Sequence, residues 1–337
     1  MIKTAEAVSL GHPDKTADFI SSYILDQMIK MDPYVKYAVE VMVKDNNVIL
    51  GGEISGNVNF DQINRYIHDA LCFIGYDENY SKIWGDFAIN PNKLNITNLV
   101  GVQSCDINRG VENNGWGDQG VFVGYACQGE QNINRELYLA KKLNFALYNL
   151  AKSREYLGLD IKTQITLDIH NNIDTAIVAI PMLRDTDLTD FIYETLGSMP
   201  RNIIVNGTGR YTYHSSVADC GITGRKLACD FYSTAAPIGG GAPWTKDATK
   251  ADLTLNLYAR KLAIQNLYNN DECFVYLSSC IGRSKLPSAV IKTIKGGIET
   301  YSSILIEKTP SEIINELELR APLFSDLCLK SVSGAIY

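Results

Sequence analysis

A helix, a β-hairpin and a second helix follow one another three times along this chain, and that repeat limits the fold more than any other feature. Residues Lys15–Lys30 carry Ala17, Ile20, Ile24 and Met28 at helical spacing. Val35, Tyr37, Val39, Val41 and Val43 then alternate along one strand face, Lys44–Asn47 has turn chemistry, Val48–Ile54 returns, and Phe60–Phe73 reads as a helix. The order recurs with a helix over Asn134–Arg154, strands over Thr163–Ile169 and Ile173–Ile180, and a helix over Asp187–Leu196. It recurs again with Lys250–Leu267, Phe274–Cys280, Ala289–Ile294 and Pro310–Leu319. The leading helices start at Lys15, Asn134 and Lys250, a nearly even period. Three α+β units are expected, each a sheet covered by helices on one face. The uncovered faces must be buried at a shared centre or against a second copy.

Composition narrows the chemistry. At 337 residues, 46% hydrophobic and 20% charged, the chain has the make-up of a soluble protein of two or three domains. No apolar run is long enough to span a bilayer and residues 1–20 hold no signal-peptide core, so a cytoplasmic location is expected. The net charge of −7 argues against general nucleic-acid binding. Eight cysteines without CxxC spacing make neither a disulfide framework nor a zinc site; Cys72, Cys127, Cys229 and Cys280 lie in apolar runs and are expected as buried free thiols.

Glycine- and charge-rich loops lie ahead of the leading helices: Ser9–Lys15, with the sequence SLGHPDK, Gly115–Gly120, and Gly239–Asp252. Glycine lets a backbone approach a ligand, and a helix N-terminus favours anions. The first loop has a plainer reading too, as a Pro-containing helix start with Asp14 as cap. Three such loops, with Lys246 and Lys250 in the third, point to one composite polyphosphate site; there is no Walker A pattern. Asp219–Lys226 adds Arg225 and Lys226 around tight turns, Asn206–Tyr211 is a further glycine loop, and Asp160 and Lys162 stand where a strand begins. Lys162, Arg225, Lys226, Lys246 and Lys250 are cations enough for a triphosphate with Mg²⁺, for which Asp14 and Asp252 offer carboxylate oxygens.

Six ordered motifs carry a resemblance: GHPDK at 11–15, GGEIS at 51–55, QSxDIxxGV at 103–111, GDQG at 117–120, DCGxTGRK at 219–226 and GGGAxxxKDxxKxD at 239–252. Together they resemble S-adenosylmethionine synthetases, from the N-terminus to about Pro287. The resemblance implies three α+β domains about a pseudo-threefold axis, here placed at 1–98, 115–213 and 214–337 with a gate loop at 99–114. It also implies a reaction, attack of the methionine sulfur on C5′ of ATP and hydrolysis of the released triphosphate to phosphate and pyrophosphate. Carried over position by position, His12, Lys162, Arg225 and Lys246 are the catalytic set. ATP contacts add Asp118, Asp160, Arg210, Tyr211, Asp219, Lys226 and Ala242. Glu53, Gln103, Asp219, Lys250 and Ile281 match methionine-binding positions. Asp14 and Asp252 match Mg²⁺ acids, with two Mg²⁺ per site, and Glu40 matches a K⁺-site acid. The family's site lies between subunits, implying at least a homodimer and allowing a dimer of dimers.

The chain departs from the family pattern at several places. Glu112–Gly115 is contracted, Cys105 and Gly207 replace prolines, Ile238–Pro243 differs, and the family's C-terminal tail is missing after Ala321. The contracted gate keeps open a second reading, a silent ATP- or S-adenosylmethionine-binding subunit. A plain ATP or tripolyphosphate hydrolase would need neither Glu53 nor Gln103.

Overall fold

The computed structural model describes residues 3–102 and 114–336. Twelve strands among them are β1 Lys3–Val8, β2 Lys36–Lys44, β3 Asn47–Ser55, β4 Asn95–Val102, β5 Gly120–Cys127, β6 Lys162–Leu167, β7 Ile173–Ala179, β8 Asn202–Val205, β9 Gly221–Ile222, β10 Glu272–Ser279, β11 Ser288–Lys295 and β12 Ile298–Ser303. They form three four-stranded sheets, ordered β9-β2-β3-β4, β1-β6-β7-β8 and β5-β10-β11-β12. Each repeat therefore lends its leading strand to another repeat's sheet. β1, just ahead of the first leading helix, pairs with β6; β5, ahead of the second, pairs with β10; β9, ahead of the third, pairs with β2. This cyclic exchange locks the three α+β units into their pseudo-threefold arrangement. A sequence pattern cannot reveal it, because strand pairing is a long-range choice.

The leading helices run Pro13–Met31, Arg135–Ser153 and Ala251–Gln265. Pro13 sits in the first turn, where a missing N–H costs nothing, and the cap is His12 rather than Asp14. The hairpin face read from the sequence is the buried one: Val35, Tyr37, Val39, Val41 and Val43 are each at most 1% exposed. After β3 and β7 the chain crosses over through helices (Ile63–Ile74 and Glu78–Trp84, then Thr189–Leu196) to parallel strands β4 and β8. The third unit breaks the pattern. Gly296 and Gly297, both at positive φ, turn β11 straight back into antiparallel β12, and the helix Pro310–Glu316 follows only afterwards.

A final helix, Phe324–Ser333, is fixed to the first leading helix by Asp26, which accepts the Phe324 and Ser325 N–H groups at 2.8 and 2.9 Å. The second glycine loop lies ahead of its helix with a strand between them, since Gly120 opens β5 and the helix begins at Arg135. All seven described cysteines are free thiols; Cys127 and Cys229 are buried, whereas Cys72 and Cys280 are half-buried because their apolar runs lie at partly open positions. No described helix is long and apolar enough to cross a membrane.

Candidate active site

β1 delivers the chain to Ser9, whose hydroxyl donates to Leu159 O at 2.5 Å and accepts the Ile161 N–H at 2.9 Å. Gly11 lies so close to the Leu159 carbonyl that a Cβ would collide with it, and Tyr76 donates its hydroxyl to Gly11 O at 2.6 Å. These contacts hold His12 beside the start of β6. The Asp14 N–H donates to His12 Nδ1 at 3.1 Å, so the proton of a neutral ring belongs on Nε2. Nε2 is buried without a partner. Burial, and then the charges of Lys162, Lys226, Lys15 and Arg225, push the His12 pKa down to about 2. His12 is thus a neutral N–H donor set among cations.

Asp14 is fully buried and grips the turn after β9. It accepts the Ile222 N–H at 2.9 Å and the Lys226 ammonium at 2.6 Å, with Arg225 Nε at 3.5 Å. Gly221 packs on the Pro13 carbonyl where no side chain would fit. Asp160, which accepts the Ser215 N–H at 3.0 Å, has its carboxyl pushed up to about 7, chiefly by burial and with the Asp219 and Asp14 charges adding to it.

On the other side of that turn, Thr223 donates to Glu40 while taking the Val41 N–H at 3.2 Å. Glu40 also receives Thr245 Oγ1 and Lys246 Nζ, each at 3.1 Å. Asp252 lies under Gly241, at φ +82°, where a Cβ would land on its carboxyl. Burial raises the Asp252 pKa and the Asp118 and Glu40 charges add to it, while Lys246 and Lys250 oppose. Lys250 Nζ is 3.9 Å from Glu53, on β3. Among the described residues no group of three or more His, Cys, Asp or Glu side chains could hold a metal ion by itself.

Three family models cover nearly the whole chain: the S-adenosylmethionine synthetase N-terminal domain over residues 1–105, the central domain over 113–211 and the C-terminal domain over 213–335. The chain belongs to the S-adenosylmethionine synthetase family. Among solved structures it is similar to an unusual S-adenosylmethionine synthetase from Campylobacter jejuni, with 30% identity and a TM-score of 0.87 over 100% of this chain and 95% of that one.

In this S-adenosylmethionine synthetase family member the expected residues fall into two adjoining groups. His12, Asp14, Asp160, Lys162, Asp219, Arg225 and Lys226 act on one another electrostatically, and Glu40, Asp118, Lys246, Lys250 and Asp252 form the second group. Ala242 lies against Gly224, which joins the groups. Tyr211 has its hydroxyl pKa raised by burial and by Asp160. Arg210 instead pairs with Asp185 at 3.2 Å and donates to Leu183 O. Ile281 bridges to Trp116 and is 52% exposed. Gln103 lies outside the described residues. Sequence reading missed Thr223 and Thr245 as partners of Glu40. Both stand within quoted motifs, but nothing in the motif says which way a hydroxyl points.

Proposed function

We propose that this chain makes S-adenosylmethionine from ATP and L-methionine, and that His12 carries the reading, as a neutral buried donor inside a cationic pocket. The sulfur of methionine forms a bond to C5′ while the C5′–oxygen bond breaks, and the triphosphate leaves with that electron pair. Sulfur needs no base, so the obstacle is the charge arriving on the leaving oxygen. His12 Nε2–H donates to that oxygen, and Lys162, Arg225, Lys226 and Lys246 balance the phosphates. Asp160, Asp219 and Tyr211 flank the nucleoside, while Glu53, Lys250 and Ile281 orient methionine. Water then cleaves the triphosphate to pyrophosphate and phosphate.

Asp252 fits Mg²⁺, whereas Asp14, fully buried and holding the Ile222 N–H and the Lys226 ammonium, would reach the ion only after Lys226 turns to a phosphate oxygen. Magnesium is held by one or two carboxylates together with phosphate oxygens, and Asp252 is a half-buried acid whose pKa burial raises although Lys246 and Lys250 lie near it. Glu40, the Thr223 and Thr245 hydroxyls and the Ala242 carbonyl make an all-oxygen set suited to K⁺, and the Lys246 ammonium already sits on two of them. When bound, these cations would neutralise charge on the leaving triphosphate. A homodimer is supported by the uncovered sheet faces: Leu99, 68% exposed, is in register with Gly51 and Glu40 across β2-β3-β4.

Purified protein with ATP, Mg²⁺, K⁺ and methionine should yield S-adenosylmethionine, pyrophosphate and phosphate. Nucleotide binding with no product at saturation would refute the proposal and favour the silent binding subunit.

A further inference from the structure

Lys15 closes the GHPDK motif, yet its ammonium has no access to solvent. It donates to Asp18 Oδ2 at 3.0 Å, Asp230 Oδ2 at 2.9 Å and Ser331 Oγ at 3.3 Å, and lies 5.0 Å over the Trp244 ring. Each carboxylate partner reaches one of the cationic turns. Asp18 Oδ1 takes the Gly224 N–H at 2.8 Å, directly ahead of Arg225 and Lys226. Asp230 Oδ2 takes the Trp244 indole N–H at 2.8 Å, two residues ahead of Lys246. One buried lysine thus joins two separate turns that flank one site.

We propose that Lys15 is a positioning residue that holds the Arg225–Lys226 turn and the Trp244–Lys246 turn in one fixed relation, through Asp18 on one side and through Asp230 and Trp244 on the other. Cations on two separate turns bind one polyanion well only if their spacing is set beforehand, since ordering them on binding would weaken it. A buried ion pair adds little net stability over an apolar packing of the same volume, so the network's value lies in the geometry it imposes. The inference rests on the reading that both turns face the triphosphate of ATP.

The test is a double-mutant cycle read by calorimetric binding of tripolyphosphate with Mg²⁺, far below the unfolding temperature. Asp18→Asn keeps an acceptor for the Gly224 N–H and removes the ion pair; Trp244→Phe keeps a ring and removes the donor. Because both cut one chain of contacts that runs through Lys15, directly at Asp18 and by way of Asp230 at Trp244, we expect Kd to rise about tenfold in the first, about threefold in the second, and no more than about tenfold in the pair. Independent effects, multiplying to about thirtyfold in the pair, would overturn the hub. So would an unchanged Kd with only a lowered Tm, the mark of a purely structural role. Amide hydrogen exchange over residues 221–226 and 244–250, measured without ligand, should quicken in both variants, and unchanged exchange overturns the tie. Wild-type protein that binds no tripolyphosphate, with exchange still responding, overturns the triphosphate reading and not the tether.

Discussion

Replacing His12 by Ala isolates one donor. The ring is neutral at any working pH, because burial and four nearby cations hold its pKa near 2, so its removal leaves the pocket's charge unchanged. ATP affinity depends chiefly on that charge and should stay within about threefold, whereas loss of a preorganised donor to a developing oxyanion removes about 2.7–4 kcal/mol, or 10²- to 10³-fold in kcat. The fold should tolerate the change. Losing the cap acceptor costs about 1 kcal/mol. Removing the unpartnered buried Nε2–H returns about 1–3 kcal/mol. Steady-state product formation over a range of ATP concentrations, with a single-turnover measurement of the chemical step, separates the two effects. An unchanged single-turnover rate together with a tenfold or greater rise in ATP KM would refute the role given to His12.

Other outcomes follow from the same geometry. His12 has a folded pKa of about 2 against 6.5 when unfolded, so its contribution is fully present above pH 6.5 and lost as pH falls towards 2. About 2 kcal/mol should be gone by pH 5, and urea titrations should show this slope flattened in His12→Ala; a slope that persists in the variant assigns it to other groups. Gly241→Ala forces a side chain onto the Asp252 carboxyl at a positive φ. It should raise the half-saturating Mg²⁺ concentration about tenfold and lower stability by about 1–2 kcal/mol, and an unchanged Mg²⁺ titration would separate Asp252 from the metal. Lys246→Met should weaken tripolyphosphate binding about tenfold while Glu40 keeps its Thr223 and Thr245 donors; calorimetry showing equal affinity would remove Lys246 from the phosphate site. Leu99→Lys should shift sedimentation from dimer to monomer and abolish product formation, so a fully active dimer would place the subunit contact elsewhere.

Much of the local structure was legible in the residues. The alternation through Val35–Val43, the helical spacing from Ala17 to Met28 and the Pro13 helix start each express the short-range geometry of a single element. The six motifs also named the cationic turns, since glycine and lysine together betray a backbone that approaches an anion. What the sequence could not state was pairing. That β1, β5 and β9 each leave their own repeat depends on which distant edges best satisfy backbone hydrogen bonds and apolar faces, so the repeat shows three α+β units and not the strands they exchange. The Gly115–Gly120 loop does lie upstream of the second leading helix, and that β5 intervenes was hidden for the same reason. Side-chain direction was equally out of reach. Lys15 and Lys226 each stand within a quoted motif, yet one is sealed beneath Asp18 and Asp230 while the other reaches Asp14 at the site. The sequence by itself determined the elements, the repeat and the kind of chemistry; the tertiary structure decided which charges meet, because charge pairing and burial depend on distances that only long-range packing sets.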